Sequence, residues 1–341
     1  MKKRIGLIGA GNRAKGYNLP ILKLLADKAE VVGITTKSGR ISEEFECLNA
    51  PVFKSVTAMA KETNPDVLIL SIKSYAVLEV LDEVLSTNIP FVLETTDNSA
   101  VYSKLESATA PVGVLEQWPF LPLERFKKQV IESGVLGQII SVENDFRTYD
   151  YHGSAQVRNY LPGFTPPKIV GLKGFSNIFK SEYYVDKEGD EKIPALERMK
   201  VKVGIFENGT LLVYKFSDRH KNMPFRNFKS LKVSGTRGSI IGDCLLEGDY
   251  KISVLDDEGT SRDAEIQKEY DGEYIKSISC ELPGGQIIEW KNTYGQLSEH
   301  QLATAHLFEE MLINENIIYP PESAIQDMII AYASEGGASW N

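Results

Sequence analysis

The sequence predicts two architectures in succession: an α/β half on a doubly wound parallel sheet, then an α+β half on a large, mostly antiparallel open sheet. Three observations carry this. The chain has 341 residues, enough for about two domains at roughly 150 residues each. Over its first third, short apolar runs alternate with longer stretches of helical periodicity, the order expected of βα units. Beyond residue 123 that alternation yields to long β-rich segments with hairpin turns. The boundary therefore separates a first domain, 1–122, from a second, 123–341, with the C-terminal helices able to pack back on the first.

Taken in order, residues 5–8 form the first strand, 29–35 (AEVVGIT) the second, 66–72 (DVLILSI) the third, 90–93 the fourth and 112–115 the fifth. Each is a short apolar run bounded by polar or turn residues. Between the third and fourth, Val77, Val80, Leu81, Val84 and Leu85 recur at helical spacing over 75–86. A helix over 123–133 ends at Gly134. In the second half, strands over 201–206 and 210–216 flank Asn208-Gly209, a hairpin signal because both residues tolerate positive φ. Further strands are expected over 139–146, 228–234, 250–255, 274–281 and 286–291, and helices over 297–313 and 322–334, separated by Pro320-Pro321.

Composition excludes several classes. Lys plus Arg number 38 against 47 Asp plus Glu, a net charge of −9, which opposes binding to a phosphate backbone and so to nucleic acid. No apolar run reaches the length of a membrane helix, and the first residues read as a strand entering a loop. Cys47, Cys244 and Cys280 are odd in number and contain no C-x-x-C pair, which points to reduced thiols and a cytoplasmic setting. His220, His300 and His306 lack H-E-x-x-H spacing, so no metal is implied.

Gly9, Gly11 and Ala14 fit G-x-G-x-x-A directly after the first strand and before a helical stretch that includes Asn12 and Arg13. In a Rossmann dinucleotide-binding domain Gly9 permits the tight turn, Gly11 lets backbone approach a pyrophosphate, and the small Ala14 lets the helix pack on the sheet. The alternative is a glycine-rich turn with no ligand. About 20 residues on, an NAD-preferring site places an acid against the ribose 2′-hydroxyl. Here the chain reads Thr36-Lys37-Ser38-Gly39-Arg40. Hydroxyls and cations suit a 2′-phosphate, so NADP(H) is preferred, with NAD(H) as the second candidate. The alternative is a solvated basic loop.

Val92-Leu93-Glu94 at the fourth strand, Val114-Leu115-Glu116-Gln117 at the fifth, residues 126–139 (FKKQVIESGVLGQI) and the β-rich second half resemble the Gfo/Idh/MocA oxidoreductase family. The resemblance covers nearly the whole chain. It implies NAD(P)-dependent hydride transfer between a sugar or cyclitol hydroxyl and a ketone, and an open C-terminal sheet used in forming a homodimer or homotetramer. Ser71, Lys73, Glu94 and Thr95, at or beyond strand ends, border the cofactor by position, and Glu116 and Gln117 stand where the family often has E-N, with hydride transfer in a cleft between domains. The alternatives are an exposed loop lysine at 73 and a carboxylate and amide at 116 and 117 that satisfy backbone at a strand terminus.

Two departures from the family stand out. Members commonly carry E-K-P after the fourth strand, the lysine lying by the nicotinamide; here the chain reads Glu94-Thr95-Thr96, and threonine supplies no cationic acid. The family's G-G-x-x-x-D-x-x-x-H helix is replaced by Tyr149-Asp150-Tyr151-His152-Gly153-Ser154, continuing to Arg158. That segment concentrates groups able to move a proton, so His152, Tyr149 and Tyr151 are the candidate catalytic residues. Arg158, Ser154 and Trp118 are the candidate substrate contacts. The alternatives are a loop in which the tyrosines pack and His152 bonds backbone, and a Trp118 that lines a domain seam.

The reading is an NADP(H)-dependent oxidoreductase acting on a small polar carbonyl or alcohol. Two rivals are a non-catalytic dinucleotide-binding sensor or scaffold and a reductase of a non-sugar substrate, as in biliverdin reductases, which resemble this family and also lack E-K-P.

Overall fold

The computed structural model describes residues 1–146, 149–163, 166–181, 195–217, 230–243, 250–256 and 258–332. Cys244, His220 and parts of the strand expected over 228–234 and the helix over 322–334 lie outside the described residues. Two compact units emerge: unit 1 takes Met1–Leu121 with Tyr294–Ile325, and unit 2 takes Pro122–Thr293 with Gln326–Asn341.

Unit 1 holds a six-stranded parallel sheet of β1 (Lys3–Ile8), β2 (Ala29–Thr35), β3 (Val52–Phe53), β4 (Val67–Leu70), β5 (Phe91–Glu94) and β6 (Val112–Leu115). Their order is β3-β2-β1-β4-β5-β6, the doubly wound order whose direction of travel reverses between β1 and β4. Strands β4 and β6 are buried along their whole length, as parallel strands covered on both faces must be. Strand β3 departs from the five-strand expectation, because two residues give no periodic signal.

After β1 the chain enters a π-helical turn, Ala14–Asn18, that runs into α1 (Leu19–Leu24). The crossovers continue through α2 (Val56–Thr63), α3 (Ser74–Ser86) and α4 (Ser99–Leu105). Within unit 1 the core is one cluster in which Leu7, Ile34 and Ile69 from the strands meet Ile21 of α1. Ala305, Leu307 and Phe308 join it from a C-terminal helix.

Unit 2 opens with α5 (Pro122–Glu132), β7 (Ile139–Phe146) and α6 (Asp150–Asn159). The strands that follow are β8 (Ile169–Ser181), β9 (Ala195–Phe206), β10 (Leu211–Ser217), β11 (Ser230–Gly235), β12 (Gly238–Asp243), β13 (Lys251–Leu255) and β14 (Ser261–Glu265). With β7 they form one eight-stranded sheet, ordered β14-β13-β12-β11-β7-β10-β9-β8. Every neighbouring pair in it is antiparallel except β7 with β10. A smaller sheet joins β15 (Gln267–Asp271), β16 (Tyr274–Glu281) and β17 (Ile287–Lys291).

The β9–β10 hairpin turns at Asn208-Gly209, but only Gly209 takes positive φ, +86°. Phe206 N–H donates to Thr210 O and Gly209 N–H to Phe206 O, a loop of three residues with glycine at the left-handed position. The C-terminal elements are α7 (Glu299–Phe308), a π-helical turn Glu309–Ile313, and α8 (Pro321–Ala331). Helix α7 starts on a full capping box between Ser298 and Gln301. Pro321 opens α8 instead of only preceding it, since proline is tolerated in a first turn.

One face of the eight-stranded sheet is divided along its width. Lys215 faces Asp145 at 3.6 Å, Lys232 faces Glu143 at 3.8 Å and Lys251 faces Asp263 at 3.8 Å. On the same side of the pleat, Leu211, Ile205, Val203 and Phe175 stand exposed.

Candidate functional site

In unit 1 the groups of interest gather at the carboxyl ends of β1, β4, β5 and β6, where an open α/β sheet binds its ligands. Gly9 is buried at φ +97°. Its N–H donates to Thr35 O, and Ser71 N–H donates to Ile8 O. A Cβ on Gly9 would stand 2.3 Å from Ser71 O and 2.6 Å from a methyl of Ile72, so no side chain fits between β1 and β4. At Gly11 the same construction meets nothing within 4 Å. The turn is thus closed toward the sheet and open at Gly11, as a cradle for an incoming group must be. Gly11 and Asn12 are exposed, Ala14 is fully buried, and the following turn carries no acid that would cancel its N-terminal partial charge.

Arg13 reaches furthest across this edge. Its Nε donates to Glu94 Oε2 at 3.0 Å and its Nη2 donates to Gln117 Oε1. The guanidinium also lies 3.9 Å over the Tyr17 ring. Ser71 Oγ donates to the other Glu94 oxygen at 3.3 Å. Burial holds the Glu94 carboxyl above the usual carboxylate range, against the opposing influence of Arg13, Ser71 and Asn18. Glu116 is buried and accepts the Trp118 N–H at 3.1 Å. Thr95 Oγ1 donates to Leu115 O, which ties β5 to β6. Lys73 is exposed at the start of α3, near the Tyr75 ring.

At the end of β2, Thr36 Oγ1 donates to Arg40 O at 2.9 Å and Arg40 N–H donates to Ser38 Oγ at 3.2 Å. These bonds shape the loop and occupy the Thr36 donor. Lys37 extends into solvent, 93% exposed, and faces Glu79 of α3 at 3.3 Å. Arg40 is exposed.

Three side chains at this edge escape sequence reasoning. His300, in the first turn of α7, meets Trp118 edge-on at 5.2 Å and Tyr17 at 6.4 Å. Asn18 is wholly buried in the π turn and faces Glu94, and among the described residues neither of its polar atoms has a partner within 3.5 Å. Only the folding of distant segments brings Tyr17, Asn18 and His300 together, so spacing carries no signal of them.

In unit 2 the segment from Tyr149 is a helix and not the loop held open as the alternative. Tyr149 caps α6 in extended conformation. Tyr149, Tyr151 and His152 form an aromatic ridge, with Tyr149 stacked on Tyr151 at 5.7 Å and Tyr151 4.3 Å from His152. Tyr149 is exposed and the other two are half-buried.

Two of the expected substrate contacts, Ser154 and Arg158, lie in the interior of unit 2. Ser154 is fully buried and donates to Asp150 O at 3.0 Å. Arg158 is buried against Asp327 at 2.9 Å, both side chains 3% exposed. Each faces the interior because α6 presents its polar residues to partners there: Asp150 accepts from Lys202 at 2.8 Å and Lys200 at 3.2 Å, and Gln156 accepts from Asn144. Buried charge is tolerated only when paired in this way.

Among the described residues no group of three or more His, Cys, Asp or Glu can hold a metal, and no helix is long and apolar enough to cross a membrane.

No family model and no curated protein matches the sequence. Solved structures do match. An oxidoreductase from Thermotoga maritima is 16% identical, with TM-score 0.62 over 97% of this chain and 95% of that one. Levoglucosan dehydrogenase in complex with NADH and levoglucosan is 13% identical, with TM-score 0.64 over 97% and 95%. An oxidoreductase from Agrobacterium radiobacter in complex with NAD+, L-tartaric acid and magnesium is 13% identical, with TM-score 0.67 over 98% and 95%. At such identities the likeness is one of fold, and it runs along nearly the whole chain.

Proposed function

We propose that the protein is a dinucleotide-dependent oxidoreductase that prefers NADP(H) over NAD(H) and acts on a small polar carbonyl or alcohol, sugar- or cyclitol-like. The observation that carries this reading is the turn at Gly9: no Cβ fits against Ser71 O, Gly11 is open, and the helix beyond carries no acid in its first turn. The diphosphate rests on Gly11, Asn12 and Arg13, and Lys37, Ser38 and Arg40 take the 2′-phosphate. The nicotinamide supplies or accepts the hydride when bound. His152, with Tyr149 and Tyr151, is the proton-donating set of this reading, and Trp118 the aromatic substrate contact. Calorimetry with NADPH and NADH tests the preference. Lys37→Asp should weaken NADPH by about tenfold, the value of one lost phosphate contact, and spare NADH; equal loss of both ends the NADP(H) assignment.

A second reading keeps the dinucleotide and drops the chemistry. It is favoured by Thr95, whose hydroxyl is spent on Leu115 O where the family resemblance calls for a lysine. Tight NADPH binding without oxidation across a panel of sugars, cyclitols, keto compounds and a bilin would select it. Loss of turnover in His152→Ala, with NADPH binding intact, would select the enzyme.

The exposed apolar end of the unit 2 sheet supports a self-association through Phe175, Val203, Ile205 and Leu211, between 40% and 51% exposed. An apolar patch of this kind is covered in a stable assembly. Sedimentation should show a dimer or tetramer, and Phe175→Glu should dissociate it.

A further inference from the structure

Glu94, at the end of β5, shares a cation with the dinucleotide turn. Its two oxygens are divided, Oε2 taking the N–H of Arg13 and Oε1 the hydroxyl of Ser71. Arg13 stands just beyond Gly11, so its guanidinium belongs by position to the turn but is drawn sideways to Glu94 and Gln117. The side chain of Glu94 is 14% exposed, which leaves little water to replace a departing partner.

We propose that Arg13 and Glu94 form a latch across the dinucleotide turn: an entering diphosphate draws Arg13 away, and Glu94 takes up one proton from solvent in its place. The inference rests on the dinucleotide reading above. The ion pair that breaks is Arg13–Glu94 and the one that forms is Arg13–phosphate, a charge-assisted exchange between two anions for one fork of donors. A carboxylate left behind in a poorly hydrated site neutralises by binding a proton, because burial without a cation penalises the charged form most.

The new O–H needs an acceptor. Asn18 supplies it: its buried amide oxygen has no partner within 3.5 Å among the described residues, and the amide acts on Glu94 already by favouring its ionised form. An amide with one acceptor and two donors serves either state of the carboxyl. The groups facing Glu94 are Ser71 just beyond β4, and Arg13 and Asn18 at the start of the first helix; Gln117, beyond β6, shares Arg13 with it. Glu116 stands beside Gln117, and His300 of α7 stands behind Trp118. Of these only Arg13 is both a permanent cation and in contact with the carboxylate, so its departure decides the proton.

The sign follows from linkage. A complex that holds one more proton than its free components weakens as pH rises, by at most about tenfold per pH unit while Glu94 titrates. NADPH is titrated into the wild-type protein near neutral pH in two buffers of different ionisation enthalpy, which measures proton uptake directly. Uptake approaching one proton per site is expected, with affinity falling as pH rises. In Glu94→Gln the latch and the proton acceptor are both removed, so uptake vanishes and NADPH binds about tenfold tighter with a flat pH profile, the competing ion pair being gone.

Binding without proton uptake, or a Glu94→Gln variant that binds NADPH no tighter than wild type, overturns the latch and leaves the dinucleotide reading standing. Failure of NADPH and NADH to bind wild type overturns that reading and the latch with it. A ligand-free check uses Arg13→Met: the infrared carbonyl band of a protonated carboxyl should appear at neutral pH and be absent from Arg13→Met/Glu94→Gln. Its absence from the single variant also overturns the proposal.

Discussion

Replacing Arg158 by leucine removes the cation from a pair in which both side chains are 3% exposed and the N···O distance is 2.9 Å. What remains is Asp327, buried without its counter-charge. Removing one partner of such a pair costs about 3–5 kcal/mol, because the survivor pays its full desolvation cost. In a unit of this size each kcal/mol moves the midpoint by about 2–4 °C, so Arg158→Leu should melt about 6–20 °C below wild type. Replacing both members by leucine should recover most of that loss, since packing replaces a desolvated pair at little net cost. Scanning calorimetry of the three proteins reads the outcome. If Arg158→Leu melts within a degree or two of wild type, the guanidinium is not holding Asp327, and the assignment of Arg158 to the interior is refuted in favour of a ligand contact.

Three further outcomes are expected. Gly9→Ala places a residue at φ +97° with its Cβ against Ser71 O; the left-handed backbone alone costs about 1–2 kcal/mol, and the forced parting of β1 from β4 should weaken NADPH binding and lower the melting temperature together. Cys280 is buried and its thiol is pushed up to about 11 by burial; mass spectrometry after brief alkylation should find exposed Cys47 modified and Cys280 protected until the protein unfolds. Lys28 and Tyr294 both donate to Glu309 and hold its carboxyl below the usual range. Its contribution is present above the unfolded carboxylate value and is lost as pH falls through the lower folded one, so Glu309→Gln should lower stability at neutral pH and flatten the acid limb, the two proteins converging at low pH.

What the sequence disclosed and what it hid have the same physical origin. Strands β1, β2 and β4–β6 are apolar runs buried on both faces, so hydrophobicity alone marks them. Strand β3 escapes notice because two residues carry no period. Strands β14 and β15 are written in charged residues, S-R-D-A-E and Q-K-E-Y-D, mostly solvent-facing. Helix α6 departs from the usual code: Asp150, Ser154, Gln156 and Arg158 are buried beside Gly153, Ala155 and Val157, with Asp150, Gln156 and Arg158 bonded to other elements and Ser154 to the Asp150 carbonyl of the same helix. A one-dimensional reading takes those residues as candidate site groups, with Arg158 and Ser154 as substrate contacts. At the carboxyl edge of the parallel sheet the gathering of Gly9, Arg13, Glu94 and Gln117 was legible from the motif and the strand ends. The contacts of Arg13 with Glu94 and Gln117 were not, since they span 81 and 104 positions.

The π turn at Ala14–Asn18 has a consequence for how this edge can vary. An extra residue in one turn shifts everything after it by about 100° around the helix axis, one residue's share of a 3.6-residue turn. Arg13 before the turn and Leu19, Ile21 and Leu22 after it therefore obey separate angular phases, one set by the sheet edge and the other by the hydrophobic core. Deleting one residue between Ala14 and Asn18 would restore a single phase and force a choice: the leucines keep their place and Arg13 swings off Glu94, or Arg13 stays and the leucines rotate out of the core. The helix is in effect two gears on one shaft, and its first gear can be cut for a different ligand without touching the second.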